Sequence, residues 1–228
     1  MSSPSRPSAS SSELSSTPSV AVRALPPLVN AAFVRVLVAQ LAIGFGFSIY
    51  FLLPKYLTTE LGAQPSTVGM VTAAGLAAAV AASPLMGIAL DRFGRRRPML
   101  VGGLAIALTS LGMLTVHSVG PWLYLLRIIQ GMGFALAFNA AAVIVTDLSP
   151  PERIGQAVGL LGVASLVTNA VAPALGESIA LTWSWRPVFL LAAILGVAVM
   201  ALSFSLPSEP RRSAATAPLV EPSAARAG

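Results

Sequence analysis

Six long apolar runs, separated by short polar links, dominate the pattern of this chain. A membrane-spanning helix needs about 20 mainly apolar residues. The six runs of suitable length cover residues 31–53, 67–90, 98–116, 122–145, 157–180 and 188–206. Strands of a membrane barrel would alternate over about ten residues, and these runs do not. Because lipid tolerates only helices and closed barrels, the pattern predicts an all-α integral membrane protein whose six transmembrane helices form one bundle.

Composition agrees with this interpretation. The chain is 55% hydrophobic and 10% charged, whereas a soluble domain averages about a quarter charged residues. It has no cysteine, which excludes disulfides and thiolate metal sites, and we expect no metal and no cofactor. A net charge of +6 is explained better by charge sorting across a bilayer than by nucleic acid, which we do not expect as a partner.

The two ends of the chain differ from its centre. Residues 1–29 are rich in serine and lack the apolar core of a signal peptide, so we expect a disordered cytoplasmic tail in preference to a transit peptide. Residues 207–228 are rich in Ala, Pro, Ser and Arg and predict a second disordered tail. The membrane domain is therefore predicted to cover residues 30–206.

Lysine and arginine predict the orientation, because they concentrate on the cytoplasmic side. With the N-terminus inside, that side holds Arg6, Arg23, Arg35, Arg92, Arg95, Arg96, Arg97, Arg153, Arg211, Arg212 and Arg226. The outer side holds only Lys55 and Arg186, and Arg127 lies within a span. The sequence thus predicts a multi-pass protein of the plasma (inner) membrane with both termini in the cytoplasm.

The link between the second and third runs, residues 87–97, concentrates charge in a chain that has little. The positive-inside rule explains its arginines but not Asp91. An acid at the C-terminal end of a helix opposes the helix dipole, and such local violations tend to mark functional sites. Gly94 suits a tight turn, and Gly87 permits a close helix contact.

At these residues the chain resembles the major facilitator superfamily. The family's pattern in this loop is G-x-L-a-D-r-x-G-r-k, matched by Gly87, Asp91, Arg92, Gly94, Arg95 and Arg96, while Ala89 and Leu90 depart from it. The segments Leu53-Pro-Lys-Tyr-Leu57, Arg127-Ile-Ile-Gln-Gly-Met-Gly133 and Trp185-Arg-Pro-Val-Phe189 also resemble family elements. The resemblance covers residues 30–206 and implies the N-terminal six-helix half of such a transporter.

The fifth run resembles the drug–proton antiporters of this superfamily. Of their pattern G-x(8)-G-x(3)-G-P-x(2)-G-G, the chain keeps Gly159, Pro173 and Gly176, while Thr168, Ala172 and Glu177 replace glycines. The resemblance favours efflux, and we expect a bend at Pro173 and Gly176.

Arg127 is the charge that most needs an explanation. Placing it within a span costs about 2.5 kcal/mol or more unless it faces a cavity or a partner. One interpretation is snorkelling to the outer interface, since it follows Pro121 by less than two turns. Arg127 shares one helical face with Gly131, Phe134 and Phe138. The resemblance implies instead that this face lines the central cavity and that Arg127 influences proton coupling, with Gln130 and Gly131 as further candidates there. Arginine does not release a proton at physiological pH, so its role would be to bias a carboxylate or to bind an anionic group.

Two acids complete the candidate site. Glu177, near the outer end of the fifth run, is either a proton carrier or a solvated carboxylate at a helix end, and the sequence favours neither. Asp147 ends the fourth run, and the resemblance implies that it pairs with Arg95 near Asp91. Such an exposed pair would matter as a switch, because it contributes about 0–1 kcal/mol to stability.

The remaining candidates are polar and aromatic residues of the first and fourth runs. They are Gln40, Phe47, Tyr50, Phe134, Phe138 and Asn139. We assign them to the wall of a substrate cavity, although aromatic residues in spans more often serve packing.

The function that the resemblance implies is proton-coupled efflux of small organic solutes by a secondary transporter. A full transporter of this type has two six-helix bundles, and this chain supplies one. It is a truncated form, a homodimer, or half of a split transporter; we favour truncation. The alternative is a membrane scaffold or regulator that does not transport. An intramembrane enzyme is disfavoured because no serine-nucleophile, P-loop or zinc motif occurs.

Overall fold

The computed structural model describes residues 28–206, and in this range the only regular structure is helical. The helices are α1 Ala31–Ser48, α2 Leu53–Thr59, α3 Pro65–Phe93, α4 Arg96–Gly112, α5 Pro121–Leu148, α6 Ile154–Thr182 and α7 Trp185–Phe204. A 3₁₀ turn, Ile49–Leu52, joins α1 to α2, so that the two form one span. Six segments are long and apolar enough to cross a membrane, which confirms the predicted fold class. Of the predicted tails, residues 1–29 and 207–228, only residues 28 and 29 lie within the described part of the chain, and there Leu28 packs into a buried cluster.

The helices extend beyond the apolar runs that predicted them. α3 continues from the predicted end at residue 90 to Phe93, and α4 begins at Arg96. The predicted loop over residues 87–97 was therefore too long, because helical hydrogen bonding continues into charged residues that a hydropathy limit excludes. Only Gly94 and Arg95 link the two helices, and Gly94 has φ +73°, a conformation that favours glycine.

Helix ends follow local sequence signals. The Asn30 side chain accepts a hydrogen bond of 2.8 Å from the Phe33 backbone N–H and caps α1. Pro65 and Pro121 occupy the first turns of α3 and α5, where a missing N–H costs nothing. α6 runs through Pro173 as one helix, and α3 likewise contains Pro84, which the sequence interpretation overlooked.

The six spans pack in an arrangement that looks the same when its two halves are exchanged. The first span packs against α6 and α7, just as α5 packs against α3 and α4. The first span also contacts α5, and α4 contacts α7. If spans 1, 2 and 3 are exchanged with spans 4, 5 and 6, the same pairs of spans remain in contact. The bundle is thus built from two three-helix units of opposite direction, an inverted repeat.

We name the two ends of the bundle by what lies there. The termini end holds the start of α1, the α3–α4 and α5–α6 links and the end of α7. There Arg35 donates to the Ser205 carbonyl oxygen. The far end holds the other three links, and there Trp185 donates to Glu60 across 3.1 Å. A separate buried apolar cluster fills each end.

The spans differ in how much the bundle covers them. In the most apolar stretch of α3 and of α6 only 22% is buried, against 61% in the first span. Large apolar side chains such as Val80 and Ile88 on α3, and Leu166 and Leu175 on α6, are exposed. These faces require lipid or a further protein surface, because exposing such large apolar areas to water is unfavourable.

Candidate transport site

Arg127 lies inside the bundle and does not reach an interface. Its side chain is 3% exposed, which overturns the snorkelling interpretation. Its Nη1 donates a hydrogen bond to Gln130 Oε1, one turn along α5. Its guanidinium carbon lies 5.3 Å from the centre of the Tyr50 ring, a cation–π distance. No salt bridge joins Arg127 to a carboxylate within residues 28–206.

Tyr50 connects this arginine to a second buried polar group. Its hydroxyl donates to Ser110 Oγ on α4 at 2.9 Å, and both residues are buried. The first span, α4 and α5 therefore meet in one polar cluster that we call the Arg127 cluster, made of Tyr50, Ser110, Arg127 and Gln130. Ser110 was not among the sequence candidates, because a single serine in an apolar run carries no pattern of its own.

A pocket opens beside the Arg127 cluster. Its volume is about 130 Å³, and its lining residues are Phe47, Tyr50, Phe51, Pro54, Thr72, Leu76 and Arg127. The structure thus brings three sequence candidates, Phe47, Tyr50 and Arg127, to one pocket. Thr72 on α3 was missed for the same reason as Ser110, because a single polar residue in an apolar run carries no pattern of its own.

The aromatic candidates form a row next to this pocket. The Phe47 and Phe134 rings stack at 3.7 Å between centres, and Phe138 follows Phe134 at 5.4 Å. All three are partly buried. Phe134 and Phe138 do not line the pocket itself; they support the wall that Phe47 presents.

Gly131 is a packing residue, and its assignment to the cavity was wrong. A Cβ at Gly131 would collide with the backbone oxygen of Gly75, because α5 and α3 touch through their backbones there. The same contact places the Arg127 guanidinium against Gly75. On this face of α5 Arg127 reaches the pocket, and α3 covers Gly131.

Two other cavity candidates are engaged elsewhere. Gln40 is fully buried, and its Nε2 donates to Ser165 Oγ on α6 at 3.2 Å. Asn139 donates to the Ala135 carbonyl oxygen of its own helix at 2.7 Å. Neither lines the pocket, so a polar residue within a span is not a sufficient signal for a cavity position.

At the termini end the expected ion pair is present. Arg95 Nε lies 2.8 Å from Asp147 Oδ2, with 21% and 31% of the two side chains exposed. Arg96 lies over the Phe204 ring of α7 at 5.0 Å, and Arg92 is exposed. The structure therefore joins α4 to α5 and α7 through neighbouring arginines.

Asp91 and Gly87 face away from this network. Asp91 is exposed in the last turns of α3 and makes no side-chain hydrogen bond to another described residue. A Cβ at Gly87 would meet nothing within 4 Å. The close helix contact predicted for Gly87 is absent from the bundle, because this part of α3 points outward.

Glu177 forms an ion pair at the far end. Lys55 Nζ contacts its Oε1 between α2 and α6, and the side chains are 40% and 45% exposed. Of the two interpretations, the structure places Glu177 as a half-exposed carboxylate at a helix end, outside the pocket. Gly176 packs against Leu52, where an added Cβ would lie 2.8 Å from Cδ1.

Comparisons with known proteins identify the class. The chain matches the family model of the Major Facilitator Superfamily over residues 36–226. It is 36% identical over 124 residues to the "Multi-drug resistance efflux pump PmrA" of Streptococcus pneumoniae, covering 52% of this chain and 31% of that protein. It is 27% identical over 172 residues to the "Multidrug resistance protein MdtL" of Escherichia coli, covering 75% and 44%. It is 30% identical over 165 residues to the "Chloramphenicol resistance protein" of Pseudomonas aeruginosa, covering 72% and 38%.

A solved structure shares the fold. The inward-open xylose transporter XylE from E. coli superposes with a TM-score of 0.67 at 20% identity, over 78% of this chain and 48% of that one. The six helices that are long and apolar enough to span a membrane define a multi-pass membrane protein. The chain belongs to the Major Facilitator Superfamily. It spans less than half the length of the three curated relatives above.

Proposed function

We propose that this chain is one six-helix half of a secondary transporter that exports small organic solutes in exchange for protons. The observation that carries the proposal is the pocket of about 130 Å³, which combines an aromatic wall with a buried arginine. Efflux is supported by the relatives, which are described as efflux pumps and resistance proteins. Alternating access would rock two bundles about a site between them.

The need for a second bundle is supported by two surfaces. The exposed apolar faces of α3 and α6 offer contact area, and Asp91 with Gly87 lies exposed at the end of α3. We propose that the loop residues Gly87, Asp91, Arg92, Gly94, Arg95 and Arg96, with Asp147, form a gate that a second bundle closes. That bundle is a separate chain, a second copy, or a C-terminal half lost by truncation.

Proton coupling is proposed to act through Arg127. An arginine keeps its proton at physiological pH, so Arg127 would act on a carboxylate that enters its pocket. Glu177 is a weaker candidate for a proton carrier, because it is half exposed and paired with Lys55. Gln130 would hold the guanidinium in place through its hydrogen bond.

The orientation with both termini in the cytoplasm, across the plasma membrane, belongs to the same proposal. The structure supports it by gathering Arg35, Arg92, Arg95, Arg96 and Arg97 towards the termini end. Because the chain has no cysteine, single substitutions report topology directly. Glu152 is exposed at the termini end and Trp183 at the far end, so each can be replaced by cysteine. In intact cells an impermeant maleimide should label only Trp183→Cys, and labelling of only Glu152→Cys would reverse the orientation.

Flux in proteoliposomes tests transport. We expect an imposed pH gradient to drive movement of at least one of chloramphenicol, ethidium and benzoate, with protein-free vesicles as the baseline and a protonophore abolishing the signal. Arg127→Ala should reduce driven flux at least about tenfold, while Arg186→Ala, an exposed arginine at the far end, should not. Unchanged flux in Arg127→Ala would remove Arg127 from the coupling mechanism.

The proposed gate is tested by one variant and a matched control variant. Asp91→Asn should impair flux and leave abundance unchanged, whereas Glu152→Gln, another exposed acid at the same end, should leave both unchanged. The mass of the purified chain in detergent shows whether it pairs with itself. A folded, paired chain without driven flux for any of the three probes would favour the scaffold or regulator.

A further inference from the structure

The polar atoms around Arg127 include hydrogen-bond donors that have no acceptor. Three of them are buried without a hydrogen-bond partner among the described residues: Arg127 Nε, Gln130 Nε2 and Thr72 Oγ1. The first two can only donate, and the hydroxyl can donate as well. The cluster is therefore short of acceptors.

The charge balance points the same way. A buried charge is normally paired, because an unpaired one loses its hydration without compensation. Arg127 is 3% exposed, has Gln130 and the Tyr50 ring as its contacts, and forms no salt bridge with a carboxylate in residues 28–206. It is also the only charged residue in the lining of the pocket. Within residues 28–206 neither the salt bridges nor the pocket lining provide a counter-ion for Arg127.

The pocket defines what that counter-ion can be. Its volume of about 130 Å³ is roughly that of four water molecules in the liquid, so it admits a carboxylate with a small apolar group. Arg127 and Thr72 supply polar contacts on the lining, and Phe47, Phe51, Pro54 and Leu76 supply an apolar wall. An organic cation would be repelled by the positive charge of Arg127, and the lining offers no carboxylate to compensate.

We propose that this pocket binds the carboxylate of a small aromatic or aliphatic organic anion, with Arg127 as its counter-ion and Thr72 as a second donor. As a statement about the transported solute this rests on the proposed function, because it names the class of substrate. As a statement about binding it stands on the unmet donors of Arg127 and Thr72, the two of these residues that line the pocket.

Equilibrium binding tests it without any gradient. The full chain in nanodiscs of zwitterionic lipid is titrated with radiolabelled benzoate at pH 7, and binding to empty discs is subtracted. Benzamide has the same shape without the charge, and benzylamine reverses the charge. We expect unlabelled benzoate to displace the label, and benzamide and benzylamine to fail at the same concentration. Displacement by all three alike would show a merely apolar pocket and overturn the proposal.

Two substitutions locate the site. Arg127→Gln should abolish benzoate binding, and Thr72→Val should weaken it about tenfold, the value of one hydrogen bond to a charged group. Thr146→Val is the matched control, because the Thr146 hydroxyl already donates to the Val143 carbonyl oxygen outside this pocket. Thr72→Val also serves if Arg127→Gln fails to fold, because removing an unpartnered buried hydroxyl should leave the thermal midpoint unchanged or raised. Equal benzoate affinity in Thr72→Val and wild type would overturn the assigned geometry.

The same titration also distinguishes other occupants of the pocket. Chloride that displaces benzoate at equal concentration would make this a halide site and refute the organic anion. No benzoate binding to a folded chain would refute it too, leaving a carboxylate of the second bundle as the counter-ion of Arg127. Benzoate binding without driven flux would contradict the transport proposal alone, whereas driven flux of chloramphenicol without benzoate binding would contradict this inference alone.

Discussion

The Arg127 cluster and the two ion pairs at the bundle ends show two ways in which this chain carries charge. Arg95–Asp147 and Lys55–Glu177 keep between 21% and 45% of each side chain exposed, and each joins opposite charges. Arg127 is 3% exposed, and its contacts are neutral. Water and a partner stabilise the first kind, whereas the second costs stability. The cost of burying this charge is the reason for proposing a function for Arg127, whereas the pairs at the ends join helices at little cost to stability.

The largest effect should come from the backbone contact that shapes the Arg127 cluster. Gly131→Ala places a Cβ where it collides with the backbone oxygen of Gly75, so α3 and α5 must separate. We expect a loss of about 1–3 kcal/mol or more in the free energy of unfolding. Gly159→Ala is the control, since its Cβ would meet nothing within 4 Å, and alanine is the better helix former. Denaturant unfolding in detergent measures both; equal effects would contradict the contact.

A smaller effect should follow when one hydrogen bond of the cluster is removed. Tyr50→Phe keeps the ring beside Arg127 and leaves the buried Ser110 Oγ without the Tyr50 donor. We expect a cost of about 1–2 kcal/mol, the penalty for an unsatisfied buried polar group. The control is Tyr124→Phe on α5, for which we expect no change because its hydroxyl makes no hydrogen bond to another described residue. Equal stability of Tyr50→Phe and wild type would show that the cluster is not held tightly.

The smallest effects should come from the ion pairs, and their order should follow burial. Double-mutant cycles with Arg95→Gln and Asp147→Asn, and with Lys55→Gln and Glu177→Gln, measure the two coupling energies. We expect at most about 1 kcal/mol for the first pair and less for the more exposed second pair. Both should shrink as salt rises. A coupling energy between Lys55 and Glu177 that exceeds about 1 kcal/mol and does not fall with salt would contradict the claim that the exposed pairs contribute little to stability.

Much of the fold was readable from the sequence, because apolar length is a local property. The six spans, the turn at Gly94 and the pairing of Arg95 with Asp147 were expected and are present. The helix ends were less accurate, since hydropathy marks the apolar core of a span and the helix continues past it.

The site was readable only in part, because it depends on which helices touch. Arg127 was singled out by its charge, but its burial depends on α3, whose Gly75 lies far along the chain. Thr72 and Ser110 acquire meaning only through Arg127 and Tyr50. Glu177 had two interpretations until Lys55 was placed beside it. Gly131 lay on the expected face, but its neighbour could not be known from periodicity.

The contacts of α1 also have a consequence for biosynthesis. Gln40 and Ser48 bond to Ser165 and Asn169 on α6, which follow 125 and 121 residues later. At a translation rate of about 5–20 residues per second, the first span waits roughly 6–25 seconds for these partners. During that interval its amide and hydroxyl face lipid or the insertion machinery. Of the six spans, the first to be made is thus the most buried in the finished bundle and has to be held unassembled until the fifth arrives.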